Sequence, residues 1–140
     1  MKNIYAAYGS NMDIEAMRYR CPNARMVGTG VIKDWRLDFH IHATIRPAEG
    51  DSVPIVAFAL GEGDEENLDR YEGFPSYYRK EDVEAVVDGK PMTVTAYVMN
   101  RSGYSYPFIG YLKGIEDSYV RFGFDLGKLD GALDRVRGWE

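Results

Sequence analysis

Residues 77–99 read YYRKEDVEAVVDGKPMTVTAYVM. Two apolar-rich runs, Tyr77–Val87 and Met92–Met99, flank Asp88-Gly89. An Asp-Gly pair between such runs predicts a tight antiparallel hairpin, because both residues tolerate the positive φ that a two-residue turn requires. Just upstream, Asp64–Glu72 has the spacing of a short helix closed by Gly73, whose missing Cβ suits a left-handed cap. Further back, Val53–Leu60 is apolar almost throughout, as in a deeply buried strand, and Gly61-Glu62-Gly63 ends it. Trp35, Leu37, Phe39 and Ile41 alternate with Arg36, Asp38, His40 and His42. That period of two predicts a half-buried strand with both histidines on its polar face. A separate strand is expected over Arg25–Ile32.

The N-terminal segment predicts a strand at Ile4–Tyr8, a turn at Tyr8-Gly9-Ser10-Asn11 and a helix over Asp13–Arg20 that Pro22 terminates. Downstream of the hairpin, Phe108, Tyr111, Leu112, Ile115, Tyr119 and Phe122 recur every three or four residues. They predict an amphipathic helix over Pro107–Phe122. A last helix carries Leu126, Leu129, Leu133 and Val136. One hairpin, several other strands and helices crowded at the C-terminus give an α+β fold, with the sheet able to curl into a small barrel.

The 140 residues suffice for one core, so residues 1–140 are read as a single domain. A formal charge of −5 gives no general attraction to phosphate backbones or anionic lipid, which argues against nucleic acid and membrane as partners. No apolar run approaches the roughly 20 residues that cross a bilayer. The opening MKNIYAAYGS turns polar before a signal-peptide core could form, and the lone Cys21 can make no internal disulfide. A cytoplasmic protein is expected. Eleven tyrosines are unusual for this length.

Two places could hold chemistry. In Tyr8-Gly9-Ser10-Asn11, glycine lets a ligand approach the backbone, and free N–H groups at a helix start favour an anion such as a carboxylate. The plainer reading is a turn in which Ser10 or Asn11 caps the next helix. Glu72 is the second. With Leu68 and Tyr71 at i−4 and i−1 it lies beside the apolar stripe, at the helix end where the backbone dipole is negative. Burial there would raise its pKa and suit it to proton exchange. The plainer reading pairs it with Arg70 or Arg79 at the surface. His40 and His42 offer two imidazoles, but no third metal ligand has matching spacing. Cys21 sits at a helix C-terminus, where the dipole raises a thiol pKa, and is expected to be inert. Ser10 lies outside any G-x-S-x-G elbow, and the strand reading turns the histidines to solvent, so no Ser-His nucleophile is expected. Tyr104, Tyr106, Tyr111 and Tyr119 are read as packing residues.

Taken in order, Tyr8-Gly9-Ser10-Asn11-Met12, Arg20-Cys21-Pro22, Leu68-Asp69-Arg70-Tyr71-Glu72-Gly73, Tyr78, Thr95-Ala96-Tyr97 and Pro107-x-x-x-Tyr111 resemble the γ-glutamylcyclotransferase-like proteins over nearly the whole chain. The resemblance implies a small mixed β-barrel with peripheral helices. It also implies a site in which Tyr8, Gly9, Ser10 and Asn11 bind the glutamyl end of a substrate, Glu72 is the acid/base, and Tyr78 lines the cavity. The implied reaction splits a small-molecule γ-glutamyl amide into 5-oxoproline and a free amine with no metal or organic cofactor; a homodimer stays open. The chain departs from the animal enzymes in two ways. The interval from Glu72 to Tyr78 is one residue shorter, which would displace Tyr78, and Lys128 stands where those enzymes carry a tyrosine. Two other functions remain: a non-catalytic module binding a γ-glutamyl or amino-acid-like ligand in the same pocket, and an interaction protein using its tyrosine-rich C-terminal half.

Overall fold

A computed structural model describes residues 3–139. Its strands are β1 (Ile4–Ala7), β2 (Arg25–His40), β3 (His42–Ala59), β4 (Tyr78–Val87) and β5 (Lys90–Met99), and its helices are α1 (Ile14–Arg20), α2 (Asp64–Glu72), α3 (Ile109–Phe122) and α4 (Leu126–Trp139). The strands close into a barrel in the order β1-β3-β2-β4-β5. All pairings are antiparallel except β1 with β5, which meet in parallel at Tyr5 and Thr95 and seal the barrel. The expected α+β barrel with helices around it is the observed architecture.

The β4–β5 hairpin turns on Asp88 and Gly89 with φ of 48° and 79°, the two positive values a type I′ turn needs. Helix α2 spans the predicted residues, and Gly73 closes it at φ 69°. The strands before it differ from expectation. Arg25–Ile32 and Trp35–His40 form one continuous strand, because the polar break at Lys33-Asp34 is a bulge with Asp34 at φ 66°. The apolar run from Val53 is the second half of an 18-residue strand starting at His42. Ile41 is no strand residue. It turns the chain at φ 67°, so His40 and His42 lie opposite each other across a hairpin, on two strands and not on one. Helix α3 starts at Ile109, two residues later than predicted.

The interior is aliphatic: Ile32, Val53, Ile55, Ala57, Val94 and Ala96 are fully buried. Helices α3 and α4 add Ile115, Tyr119, Leu129, Ala132 and Val136 to that core, whereas Leu126 stays partly exposed. Strand β2 is wedged between β3 and β4, with Gly30 opposite both Ile55 and Val87. A Cβ at Gly30 would stand 1.8 Å from the Val86 carbonyl oxygen, so only glycine permits the approach. Gly30→Ala is therefore expected to destabilise the protein by at least about 2 kcal/mol, within the range for an overpacked core. Urea unfolding measures it, and a loss under about 0.5 kcal/mol would contradict this packing.

Among the described residues no helix is long and apolar enough to cross a membrane. Cys21, at the C-terminal cap of α1, is buried, with its thiol pushed up to about 11 chiefly by desolvation; the inert reading agrees with this environment.

Candidate active site

Strand β1 delivers Tyr8–Asn11 to one end of the barrel, where Ser10–Met12 form a single 3-10 turn. Helix α1 starts only afterwards, and its cap is Asp13, whose carboxylate accepts from the Glu15 and Ala16 amides. Neither Ser10 nor Asn11 caps a helix by its side chain, contrary to the plainer sequence reading. The Ser10 hydroxyl instead meets Tyr71 Oη at 3.0 Å. Asn11 is buried, donating to Tyr5 Oη at 3.0 Å and accepting from Arg20. The backbone amides of Ser10 and Asn11 donate to no acceptor among the described residues.

This loop forms one wall of a cavity of about 160 Å³, completed by His42, Ala43, Glu72 and six tyrosines besides Tyr8. Tyr8, Gly9, Ser10, Asn11, Glu72 and Tyr78 all line it, so the geometry brings every sequence-predicted site residue together. The shorter interval after Glu72 has not moved Tyr78 out: its hydroxyl donates to the Ala43 carbonyl at 2.7 Å. Lys128 is elsewhere, paired with Asp51 at 2.8 Å. That departure does not touch the cavity.

Helix α2 is anchored by the fully buried Leu68 and ends one turn later at Glu72, where Gly73 closes it. The Glu72 carboxylate accepts no hydrogen bond from a described residue. Desolvation pushes its pKa up to about 7, opposed only by the Arg20 guanidinium. Neither suggested surface partner engages it: Arg70 donates to Asn67, and Arg79 pairs with Glu81 at 2.7 Å. Arg20 lies 3.6 Å from the Tyr71 ring centroid, so one cation braces Asn11 and Tyr71 and acts electrostatically on the acid.

A hydroxyl has one hydrogen to give, which sorts the tyrosines. Tyr8 donates to the Tyr97 carbonyl at 2.5 Å and Tyr97 to Asp69 at 2.6 Å, so their hydrogens, like that of Tyr78, are committed. Tyr5 accepts from Asn11, and Tyr111 accepts from the Ala43 amide at 3.0 Å. Their own hydrogens are uncommitted. Tyr111, read from sequence as packing, is thus a wall residue with a spare donor, close enough to the loop that a Cβ on Gly9 would lie 3.4 Å from its oxygen. Tyr119, by contrast, is fully buried packing.

His42 corrects a second expectation. It is half-buried in the cavity wall, with Nδ1 2.9 Å from Tyr77 Oη. Sequence reasoning also missed Arg20, Tyr5 and Tyr97. The available signal was the tyrosine count, since seven of the eleven converge here. Among the described residues no group of three or more His, Cys, Asp or Glu side chains could hold a metal.

A cavity with one partly protonated acid, two free amides and spare hydroxyl donors fits a small polar molecule bearing a carboxylate. Comparison with known proteins identifies the family. The family model described as "Gamma-glutamyl cyclotransferase, AIG2-like" matches residues 5–113. Gamma-glutamylcyclotransferase of Homo sapiens is 30% identical over 124 residues, covering 79% of this chain and 66% of that protein. The Mus musculus protein of the same name is 30% identical over 126 residues, covering 80% and 67%. The chain thus spans about two thirds of the length of these curated relatives. A solved structure described as "Gamma-glutamyl cyclotransferase" superposes with a TM-score of 0.81 at 25% identity, covering 100% of this chain and 89% of that one. On this match of sequence over most of its length, joined to the same barrel, the chain belongs to the gamma-glutamyl cyclotransferase, AIG2-like family.

Proposed function

We propose that this protein cleaves a γ-glutamyl amide by letting the substrate's own α-amine attack its γ-carbonyl, releasing 5-oxoproline and a free amine. The observation that carries the reading is Glu72: a desolvated carboxyl with a pKa near 7, in one cavity with the unbonded Ser10 and Asn11 amides. An acid balanced near neutrality can take a proton and return it within one turnover. Uncommitted amides supply donors for an α-carboxylate, and the spare hydrogens of Tyr5 and Tyr111 supply donors for negative charge growing on the γ-oxygen. The nucleophile comes from the substrate, so the protein's main task is to hold a folded conformation. Ring closure of this kind can draw roughly 7–11 kcal/mol from proximity alone. Tyr8 and Tyr78, whose hydroxyls are locked on backbone carbonyls, shape the pocket around that conformation.

The direct test is incubation with a panel of γ-glutamyl amides whose leaving groups are amino acids, peptides and polyamines, with 5-oxoproline followed by mass spectrometry. Release from at least one is expected. A panel compound that raises the melting temperature yet is recovered intact would favour a binding module instead.

The pH dependence follows from the sign of the shift. The base must be ionised, so kcat/KM falls as pH drops through about 7. The Arg20 charge lowers the Glu72 pKa, so Arg20→Met should move this acid limb to higher pH. An unmoved limb would show that Arg20 only braces the loop.

A further inference from the structure

We infer that His42, oriented by Tyr77, is a second proton carrier in the reaction proposed above, removing from the cyclising nitrogen the proton that Glu72 does not take. The inference rests on that reading and concerns a residue outside its machinery.

The proton count raises the question. The substrate's α-ammonium holds three hydrogens and the lactam nitrogen of 5-oxoproline keeps one, while the departing nitrogen goes from one hydrogen to three. Two protons must therefore travel, and among the described residues Glu72 is the only carboxylate in the cavity wall. With one carrier, the two protons must be taken and delivered in turn.

His42 stands in the same cavity wall as Glu72. Its backbone is fixed on both sides: the Ile41 turn precedes it at φ 67°, and the Ala43 that follows is held through its carbonyl by Tyr78 and through its amide by Tyr111. Its ring packs edge-on against Tyr77 and Tyr111, with centroids 5.8 and 5.3 Å away. Nδ1 is engaged by Tyr77 Oη, whereas Nε2 has no partner among the described residues. A histidine serving only to pack would not be expected to lie in the cavity wall with one nitrogen fixed by a phenol and the other unused. With its hydrogen on Nδ1, donated to Tyr77, the ring presents a lone pair at Nε2.

The titratable groups around the imidazole are Tyr77, Tyr78 and Tyr111, all phenols that burial keeps protonated, together with Glu72 in the same wall and Arg101 5.7 Å from the Tyr77 ring centroid. Burial holds the His42 pKa below the ordinary imidazole value, so the ring starts neutral and gives up a captured proton readily.

Ionised Glu72 takes one proton from the α-ammonium, and the freed amine bonds to the γ-carbon, leaving a tetrahedral centre with two hydrogens on the attacking nitrogen. His42 Nε2 accepts one of these. Neutral Glu72 protonates the departing nitrogen, the C–N bond breaks with its electron pair on that nitrogen, and the amine collects the His42 proton as it leaves. Both side chains return to their starting forms.

The test uses the intact protein and γ-glutamyl-alanine, or whichever panel amide the wild type converts. Two groups that must be unprotonated make the acid limb of log kcat/KM against pH approach a slope of about two; one group gives about one. His42→Gln is expected to lower kcat by about 10- to 100-fold near neutrality, to leave KM within about threefold, and to reduce that slope from about two to about one. Free imidazole should restore turnover to His42→Gly but not to Glu72→Gln. An unchanged kcat in a folded His42→Gln protein, or a fall that leaves the slope unaltered and resists imidazole, would overturn the assignment. A wild type that converts no panel amide would instead remove the reading on which it rests.

Discussion

Glu72→Gln is expected to lower 5-oxoproline release by at least about 10²-fold, the lower end of what proton-transfer catalysis contributes, while the barrel and ligand binding persist. The amide fills the space of the carboxyl and cannot carry a proton. The same substitution should act on stability in the opposite direction. The folded-state pKa of about 7 lies above the value of roughly 4.3 for an exposed glutamate, so the stability Glu72 contributes is full below the lower value and lost as pH rises through the upper one. At pH 8 the wild type carries a desolvated charge that the variant lacks. The variant should melt higher there, and the difference should vanish near pH 4. Thermal scans at the two pH values check this. A variant that loses activity and also melts lower at pH 8 would mean that Glu72 is chiefly a structural residue.

The second large effect is expected far from the cavity. Asp38 is fully buried and receives three guanidinium groups: Arg36 at 3.1 Å, Arg46 at 3.0 Å and Arg135 at 2.8 Å. These come from β2, β3 and α4, so one carboxylate ties the long hairpin to the C-terminal helix. Arg135 also donates to the Leu37 carbonyl at 2.6 Å, and Arg46 to the Gly103 carbonyl at 2.8 Å. Removing the single negative charge would leave three cations crowded without a counter-ion. Asp38→Ala should cost about 3 kcal/mol, the low end for breaking a buried pair, because each arginine keeps between 24% and 31% of its side chain in water. Urea unfolding measures the loss. A cost below about 1 kcal/mol would show that the arginines resolvate freely and that the cluster does not hold α4 in place.

Asp38 also shows where sequence reasoning stops. The alternation from Trp35 to His42 put it on the polar face, and alternation is reliable only where one side of a strand meets water. Here Leu37, Asp38 and Phe39 are all buried, because β2 has the barrel core on one side and the arginine cluster beside α4 on the other. The three partners lie at positions 36, 46 and 135, and no local pattern reveals that they converge. The misplaced histidines have a related cause. Reading Ile41 as one more strand residue keeps His42 in step with His40, whereas its left-handed conformation reverses the chain. By contrast, α2 and the β4–β5 hairpin were legible because helical spacing, a capping glycine and an Asp-Gly turn are local chemistry. Glu72 was legible for the same reason: four residues fix which face of a short helix it occupies. The tyrosine wall was visible as a count but not as a place, since its members arrive from β1, α2, β4, β5, α3 and the loops between them.

The proposed chemistry needs a carboxyl held near neutrality beside free main-chain donors. Carbon-13 NMR of glutamate side-chain carboxyls, with the Glu72 resonance assigned by comparison with Glu72→Gln, reads that property without any choice of substrate. A titration midpoint near pH 7 is the expected result. A midpoint at the ordinary carboxylate value would contradict it and remove the ground for assigning Glu72 as the acid/base.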